Sequence, residues 1–232
     1  MKNYLLLFAA LVILSSCAST SNFIEAESLG QSNQSFMYGG ELAFVSDNNY
    51  VPAPIPLPVA SFSYGRGLTD NLDFRGVVRS NLTSEIGVKY QFYDTDATDL
   101  AASFNLNVGF NVPGPELVFH SQFNVGNVSI LVNPSFAFMR NAYTVQGPTI
   151  ENPEGIFWGP EVGLSTGLMF GESDQFKLAL NAKLFPTGEA SPIIYGLGFA
   201  YDLKPGFESG DSKASKGKKK KKKKKRRRRR RR

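Results

Sequence analysis

Regular alternation of apolar and polar side chains is the feature that most constrains the fold of this chain. From Ala102 to Val112, six apolar residues alternate with five small or polar ones. A period of two places these sets on opposite faces of a β-strand, whereas a helix would mix them. The same alternation recurs from Leu82 to Tyr93 and from Gln175 to Leu184. The pattern predicts a protein built from amphipathic strands.

Runs of this kind predict about ten antiparallel strands (8 to 12). Many are long enough to cross a bilayer at a tilt of about 45°. Short turns join most of them, and the three longer connections follow the first, seventh and ninth strands, which places all three at one end. The predicted strands lie near residues 34–46, 57–65, 70–80, 82–93, 100–112, 116–125, 127–140, 156–171, 174–185 and 193–203.

Opposite charges across two hairpins predict strand register, because both faces must stay in phase across a turn. A three-residue turn at residues 80–82 places Asp73 opposite Lys89. A three-residue turn at residues 171–173 places Glu161 opposite Lys183. Both pairs fall on the polar face of their strands.

The composition of the polar face separates a membrane barrel from a soluble β-domain. A solvated face is normally rich in Lys and Glu, whereas here Gly, Ser, Asn and Ala predominate. In the last strand, Gly196, Gly198, Ala200 and Asp202 alternate with large apolar residues. Small residues suit a narrow lumen. We therefore expect the large apolar side chains to face lipid, and a soluble lipid-anchored β-domain is the less favoured alternative.

Charged side chains of both signs fall on the predicted inner face. They fit either a polar pore lining or a salt-bridged filling, and the filling is favoured because eight to ten strands enclose little free space. The ten residues are Glu41, Asp73, Arg75, Arg79, Glu85, Lys89, Glu161, Lys177, Lys183 and Asp202.

The first 17 residues form a predicted export signal. Lys2 precedes an apolar run that is about half as long as a membrane-spanning helix. Leu14-Ser15-Ser16-Cys17 resembles the bacterial lipobox, which implies that Cys17, the only cysteine, becomes the lipid-modified first residue of the mature chain. Ordinary cleavage after Ala18 is the alternative. Residues 18–33 are mostly small and polar without a sustained period, which predicts a flexible tether.

Charge divides the chain into an acidic body and a basic tail. Between Cys17 and Gly210 there are 8 basic and 19 acidic residues, a net charge of about −11, whereas residues 213–232 hold 17 basic ones. Residues 204–232 are therefore a predicted disordered linker and poly-Lys/Arg tail. On the periplasmic side this tail would contact anionic phospholipid or peptidoglycan. An export signal makes nucleic acid a poor partner.

No catalytic site, metal site or cofactor is predicted. His120 is the only histidine, and the adjacent Ser121 points to the other face of its strand. Asp94, Asp96 and Asp99 form an acidic turn without the glycine and glutamate of an EF-hand loop, so we expect solvated carboxylates.

Two segments resemble recurrent sequences of bacterial outer-membrane β-barrel proteins. They are the hairpin from Tyr64 to Asp73 and the last strand around Gly196 to Tyr201, and the resemblance spans residues 34–203. It implies an all-β, antiparallel, up-and-down transmembrane barrel in the outer membrane. One departure is that 29 residues follow Leu203, whereas such barrels usually stop at an aromatic residue.

The predicted function is a structural or interaction role in the outer membrane. The barrel would be lipid-anchored, with extracellular loops and a periplasmic tail. A small passive porin-like channel or transporter for small solutes is the alternative. A lipid-modifying enzyme is less favoured.

Overall fold

A computed structural model describes residues 23–46, 55–80, 83–109, 114–141, 157–171, 174–184 and 193–204. Each strand pairs with its neighbours in sequence and the first also pairs with the last, so the sheet closes on itself. The predicted up-and-down β-barrel is thus confirmed. The ten antiparallel strands are β1 (Gln34–Ser46), β2 (Ile55–Gly67), β3 (Leu72–Arg79), β4 (Thr83–Asp94), β5 (Thr98–Gly109), β6 (Gly114–Val125), β7 (Val128–Asn141), β8 (Phe157–Phe170), β9 (Asp174–Leu184) and β10 (Ile193–Leu203).

Side-chain burial follows the alternation of the sequence. In β10 every second residue from Ile194 to Asp202 is buried, and the residues between them are exposed. The exposed positions around the barrel carry large apolar side chains, among them Leu180 at 63% and Phe199 at 56% exposure. The buried positions carry mostly small, polar or charged side chains, with a few larger apolar ones such as Met37 and Leu131. This arrangement is the reverse of a soluble barrel, which encloses its apolar face.

The two ends of the barrel differ in their connections. An even number of strands places the start of β1 and the end of β10 at the same end, which we call the terminal end. The opposite end, which we call the loop end, receives the connections after β1, β7 and β9 that span residues 47–54, 142–156 and 185–192. The connections at the terminal end are short, such as residues 68–71 and 126–127.

Strand register between β3 and β4 agrees with the prediction. Asp73 lies directly opposite Lys89, and Lys89 Nζ is 3.1 Å from Asp73 Oδ2. Among the described residues the ladders shift register once, in β4, where Phe92 is the extra residue of a β-bulge between Gln91 and Tyr93. The bulge leaves Phe92 and Tyr93 both exposed.

The predicted register between β8 and β9 is wrong. Lys183 lies opposite Gly163 and not opposite Glu161. The reason is a longer hairpin, because the last pair before the turn is Phe170 with Phe176. The two charges still meet along a diagonal, with Lys183 Nζ 2.7 Å from Glu161 Oε1.

Residues 23–33 precede β1, and we call them the plug segment; residues 23–29 of it lie inside the barrel. Phe23, Ile24, Glu25, Ala26 and Leu29 are all buried. The predicted flexible tether is therefore wrong for residues 23–29. The tether was predicted because these residues show no apolar–polar alternation. A segment that packs inside a barrel needs no such alternation, because the wall surrounds it on all sides.

Residues 1–22 and 205–232 lie outside the described residues. They contain the predicted export signal, Cys17, the start of the predicted tether and the basic tail. Within the described part of the chain, no helix has the length and apolarity needed to cross a membrane.

Candidate functional site

The structure places all ten predicted charged residues on the inner face of the barrel. Most of them are buried, and three are partly buried. The buried residues are Glu41, Asp73, Glu85, Lys89, Glu161, Lys177 and Asp202, and the partly buried ones are Arg75, Arg79 and Lys183.

Four further charged groups in the lumen were missed by the sequence analysis, namely Glu25, Asp99, Glu116 and Lys204, all of them buried. The alternation of the sequence could have placed Asp99 and Glu116 in the lumen, because each is in phase with the inward positions of its strand. Glu25 and Lys204 lie outside the strands and carry no periodic signal.

Polar side chains of the barrel wall bind the main chain of the plug segment. The Leu29 N–H donates to both carboxylate oxygens of Asp73 at 3.2 Å. The Ser28 N–H donates to Gln91 Oε1 at 3.0 Å. Lys89 Nζ donates to two carbonyl oxygens of the plug segment, at 3.0 and 2.5 Å. The wall therefore satisfies buried backbone groups that a strand ladder would otherwise pair.

Lys89, Lys177 and Lys204 form what we call the lysine cluster, and it surrounds Glu25. Lys204 Nζ lies 2.6 Å from Glu25 Oε1, and Lys177 Nζ lies 3.4 Å from Glu25 Oε2. Lys89 reaches the carbonyl oxygen of the same residue. Lys177 also lies 2.9 Å from Asp202 Oδ2, at a side-chain exposure of 1%. The cluster thus joins the plug segment to β4, β9 and the end of β10.

The electrostatics of this cluster keep Glu25 ionised. Burial alone would raise the pKa of the Glu25 carboxyl, but Lys177, Lys204 and Lys89 outweigh burial and hold that pKa well below its ordinary value. Burial alone would lower the pKa of Lys204, but Glu25 and Asp202 raise it above its ordinary value. Removing one partner from such a buried pair leaves an uncompensated charge, which typically costs about 3–5 kcal/mol.

Small wall residues make room for the plug segment. A Cβ atom at Gly198 would overlap the ring of Phe23, and a Cβ atom at Gly67 would overlap the carbonyl oxygen of Gly30. Glycine at these two positions is therefore required by the close approach of the plug. Phe23 itself packs in an apolar cluster with Met37, Ala179 and Ala200.

A second set of ion pairs lies in the loop-end half of the lumen. Arg79 Nη2 lies 2.6 Å from Glu85 Oε2, and Lys183 Nζ lies 2.7 Å from Glu161 Oε1 and 3.7 Å from Glu116 Oε1. The last pair connects β9 with β6, which are not neighbours in the sheet, so it spans the lumen. All five side chains lie towards the loop ends of their strands. Both halves of the lumen are therefore occupied.

His120 has a hydrogen-bond partner on the neighbouring strand that its own strand does not reveal. Its Nε2 lies 2.8 Å from Ser103 Oγ on the neighbouring β5. The exposed fractions are 1% for His120 and 2% for Ser103. Ser121 is on the outer face, as predicted from its parity. Such deep burial beside the plug segment fits a structural contact and not a site open to substrate.

The acidic turn is only partly solvated. Asp94 and Asp96 are exposed, as expected, but Asp99 is buried at the terminal end of β5. Asp99 accepts hydrogen bonds from Gln91 Nε2 at 3.3 Å and from Asn124 Nδ2 at 3.1 Å. In the described ranges, no group of three or more His, Cys, Asp or Glu residues is placed to hold a metal ion.

The chain is similar in fold to several solved structures. No family model and no curated protein sequence matches the chain. One similar solved structure is Ail, the attachment invasion locus protein of Yersinia pestis, at 12% identity and a TM-score of 0.33 over 75% of this chain and 99% of that one. Neisserial surface protein A (NspA) is 11% identical, with a TM-score of 0.41 over 74% of this chain and 96% of that one. The outer membrane protease OmpT from Escherichia coli is 4% identical, with a TM-score of 0.43 over 75% of this chain and 94% of that one. At these identities the likeness concerns the fold alone.

Proposed function

We propose that this chain is an outer-membrane β-barrel lipoprotein with a closed lumen, serving a structural or interaction role without enzymatic activity. The occupied lumen carries this proposal. The plug segment fills the terminal-end half, and paired charges such as Lys183 and Glu116 span the loop-end half. A ten-stranded barrel has little interior space, so we expect these side chains to leave no wide path for solutes through the described part of the lumen.

The outer surface supports a membrane location. Among the strand residues whose side chains the structure describes, the outward-facing charges are Arg66, Asp94 and Asp174, all at the terminal rim. Aromatic rings pair on the outside near both ends of β1. They are Phe36 with Tyr64, at a centroid distance of 5.3 Å, and Phe44 with Tyr195, at 5.4 Å. Aromatic residues at both boundaries of an apolar band are typical of outer-membrane barrels.

The asymmetry of the connections supports an orientation with the loop end outside the cell and the terminal end in the periplasm. The chain leaves the barrel at Lys204, so the basic tail would start on the periplasmic side. There it would bind anionic phospholipid headgroups or peptidoglycan, at about 1 kcal/mol for each basic residue close to the surface. Lipid on Cys17 would add a second attachment to the same membrane.

Conductance in planar bilayers tests the closed lumen against the channel alternative. We expect the mature wild-type protein to show no steady conductance, because the plug segment and the ion pairs occupy the path. An Asp73→Ala, Lys89→Ala double variant removes wall contacts to the plug segment and should open intermittently. Steady ion conductance by the wild type would contradict the proposal and favour a passive channel for small solutes.

A further inference from the structure

We propose that the terminal-end half of the lumen is a binding site for an extended acidic peptide, and that the plug segment is the occupant which the chain supplies to itself. The inference goes beyond the proposed function, since it requires neither the lipid anchor nor any contact of the loops. It rests on three features of the site: its contacts to backbone, its charge and its attachment to β1.

The wall recognises the main chain of its occupant. Wall side chains accept from N–H groups of the plug segment, as Gln122 Oε1 does from Glu27 at 3.4 Å. Other wall side chains donate to its carbonyl oxygens, as Asn133 Nδ2 does to Ile24 at 2.9 Å. Together with the contacts of Asp73, Gln91 and Lys89, these bonds follow the plug segment from residue 24 to residue 29. Main-chain bonds do not depend on side-chain identity, so another extended peptide can form them.

The lysine cluster adds a requirement for one carboxylate. Lys89 pairs with Asp73 and Lys177 pairs with Asp202, and Glu25 supplies a third negative charge. Positive groups buried to this degree need a compensating anion at the same place. A peptide without an acidic side chain at that position would leave the cluster undercompensated. The site therefore selects an acidic peptide over a neutral one.

The attachment of the plug segment to β1 allows it to leave. Gly30 and Ser32 adopt positive φ angles of 77° and 69°, directly before β1 begins. A left-handed conformation is unfavourable for a residue with a Cβ atom, so Gly30 and Ser32 mark a sharp turn between the plug segment and β1. A cavity beside the plug, lined in part by Glu25, Leu29 and Asp73, shows that the lumen is not fully packed here.

The first experiment displaces the plug segment without altering the wall. Glu25→Lys places a fourth ammonium group against the lysine cluster and should expel the segment. A glutamyl endopeptidase should then cleave the full-length variant in detergent after Glu27, as read by mass spectrometry, and should leave the wild type intact there. Gln31→Lys is the matched control, because Gln31 is exposed in the same segment. A Glu25→Lys variant that resists cleavage as the wild type does would overturn the assignment.

The second experiment supplies the occupant in trans. A fluorescent peptide with the sequence of residues 23–33 should bind the Glu25→Lys variant, as measured by anisotropy, and should not bind the wild type. The same peptide with Gln in place of Glu25 should bind at least about tenfold more weakly, since a charge-assisted contact is lost. Adding Lys204→Glu to the variant should abolish binding. Absence of binding to the cleavable variant, or equal affinity for both peptides, would overturn the proposal.

A folding control keeps the two proposals apart. A variant that migrates identically on SDS gels with and without boiling is unfolded. If Glu25→Lys is unfolded, Glu25→Gln replaces it. We expect Glu25→Gln to be cleaved less and to bind the peptide more weakly than a folded Glu25→Lys variant would. If the peptide does not bind but the wild type stays non-conducting, the peptide site fails and the closed barrel stands. If the wild type conducts steadily, the closed barrel fails.

Discussion

At Gly67 the barrel wall and the plug segment approach so closely that a side chain has no room. We expect Gly67→Val to displace the segment, because the new Cβ atom overlaps the main chain of Gly30 and not a side chain that can rotate away. The variant should show channel openings in planar bilayers that the wild type lacks.

Gly76→Val is the matched control for Gly67→Val. A Cβ atom at Gly76 meets only the Glu85 carbonyl oxygen, at 4.0 Å, and points outward. This variant should stay closed. A Gly67→Val protein that is as silent as the control would show that the plug segment accommodates the side chain or does not close the lumen.

The ion pair between Glu25 and Lys204 predicts closure over a wide pH range. The pKa of Glu25 is lowered, so its contribution to stability is present above its ordinary value of 4.5 and is lost only as pH falls through the lower folded-state value. The pKa of Lys204 is raised, so its contribution is present below 10.5 and is lost as pH rises through the higher folded-state value. Conductance should therefore stay at baseline from about pH 5 to about pH 9. Openings that begin between these limits would contradict the pairing.

Single residues differ in how far the sequence reveals their place. The parity of Lys177 and Asp202 within their strands is enough to put both in the lumen, because a strand has only two faces. It does not reveal that Lys177 is shared between Asp202 and Glu25, since the latter lies 152 residues away in sequence. Contacts of this kind depend on where a segment without a period packs.

The apolar outer face makes a prediction at the level of a single strand. Leu180 lies near the middle of β9 and is 63% exposed. Leu180→Arg should lower the free energy of unfolding in lipid vesicles by about 2–4 kcal/mol, as for a charge at the bilayer midplane. Phe170→Arg, at the terminal end of β8, should cost only about 0–1 kcal/mol. Equal effects in a urea titration would mean that this face does not contact hydrocarbon.

Two hairpins show what determines whether register can be predicted. The register of β3 with β4 follows from a short turn and a pair of opposite charges, and Asp73 with Lys89 satisfies both. The same reasoning fails for β8 and β9, because Asp174 and Gln175 pair with β10 beyond the end of the β8 ladder. The diagonal contact of Lys183 with Glu161 is as close as a direct one would be, so charge pairing alone does not distinguish the two registers.

The topology of the whole molecule was predictable, but the content of its lumen was not. Ten alternating runs with short turns admit few arrangements other than an up-and-down barrel. The plug segment contacts strands across the whole barrel, with Leu29 bound by Asp73 in β3 and Ile24 bound by Asn133 in β7. A flexible tether and a plug have similar local sequences, and only the polar wall of the barrel distinguishes them.

Two features of the whole molecule would hold it in the membrane, namely the apolar outer face of its strands and the predicted lipid on Cys17, and one variant separates their contributions. We expect radioactive palmitate to label the wild-type protein and not a Cys17→Ala variant. The variant should still insert and still migrate differently with and without boiling, because the outward apolar side chains, and not the acyl chains, hold the barrel in the bilayer. An unlabelled wild type would favour ordinary cleavage after Ala18, and a Cys17→Ala protein that is freely soluble would contradict the barrel itself.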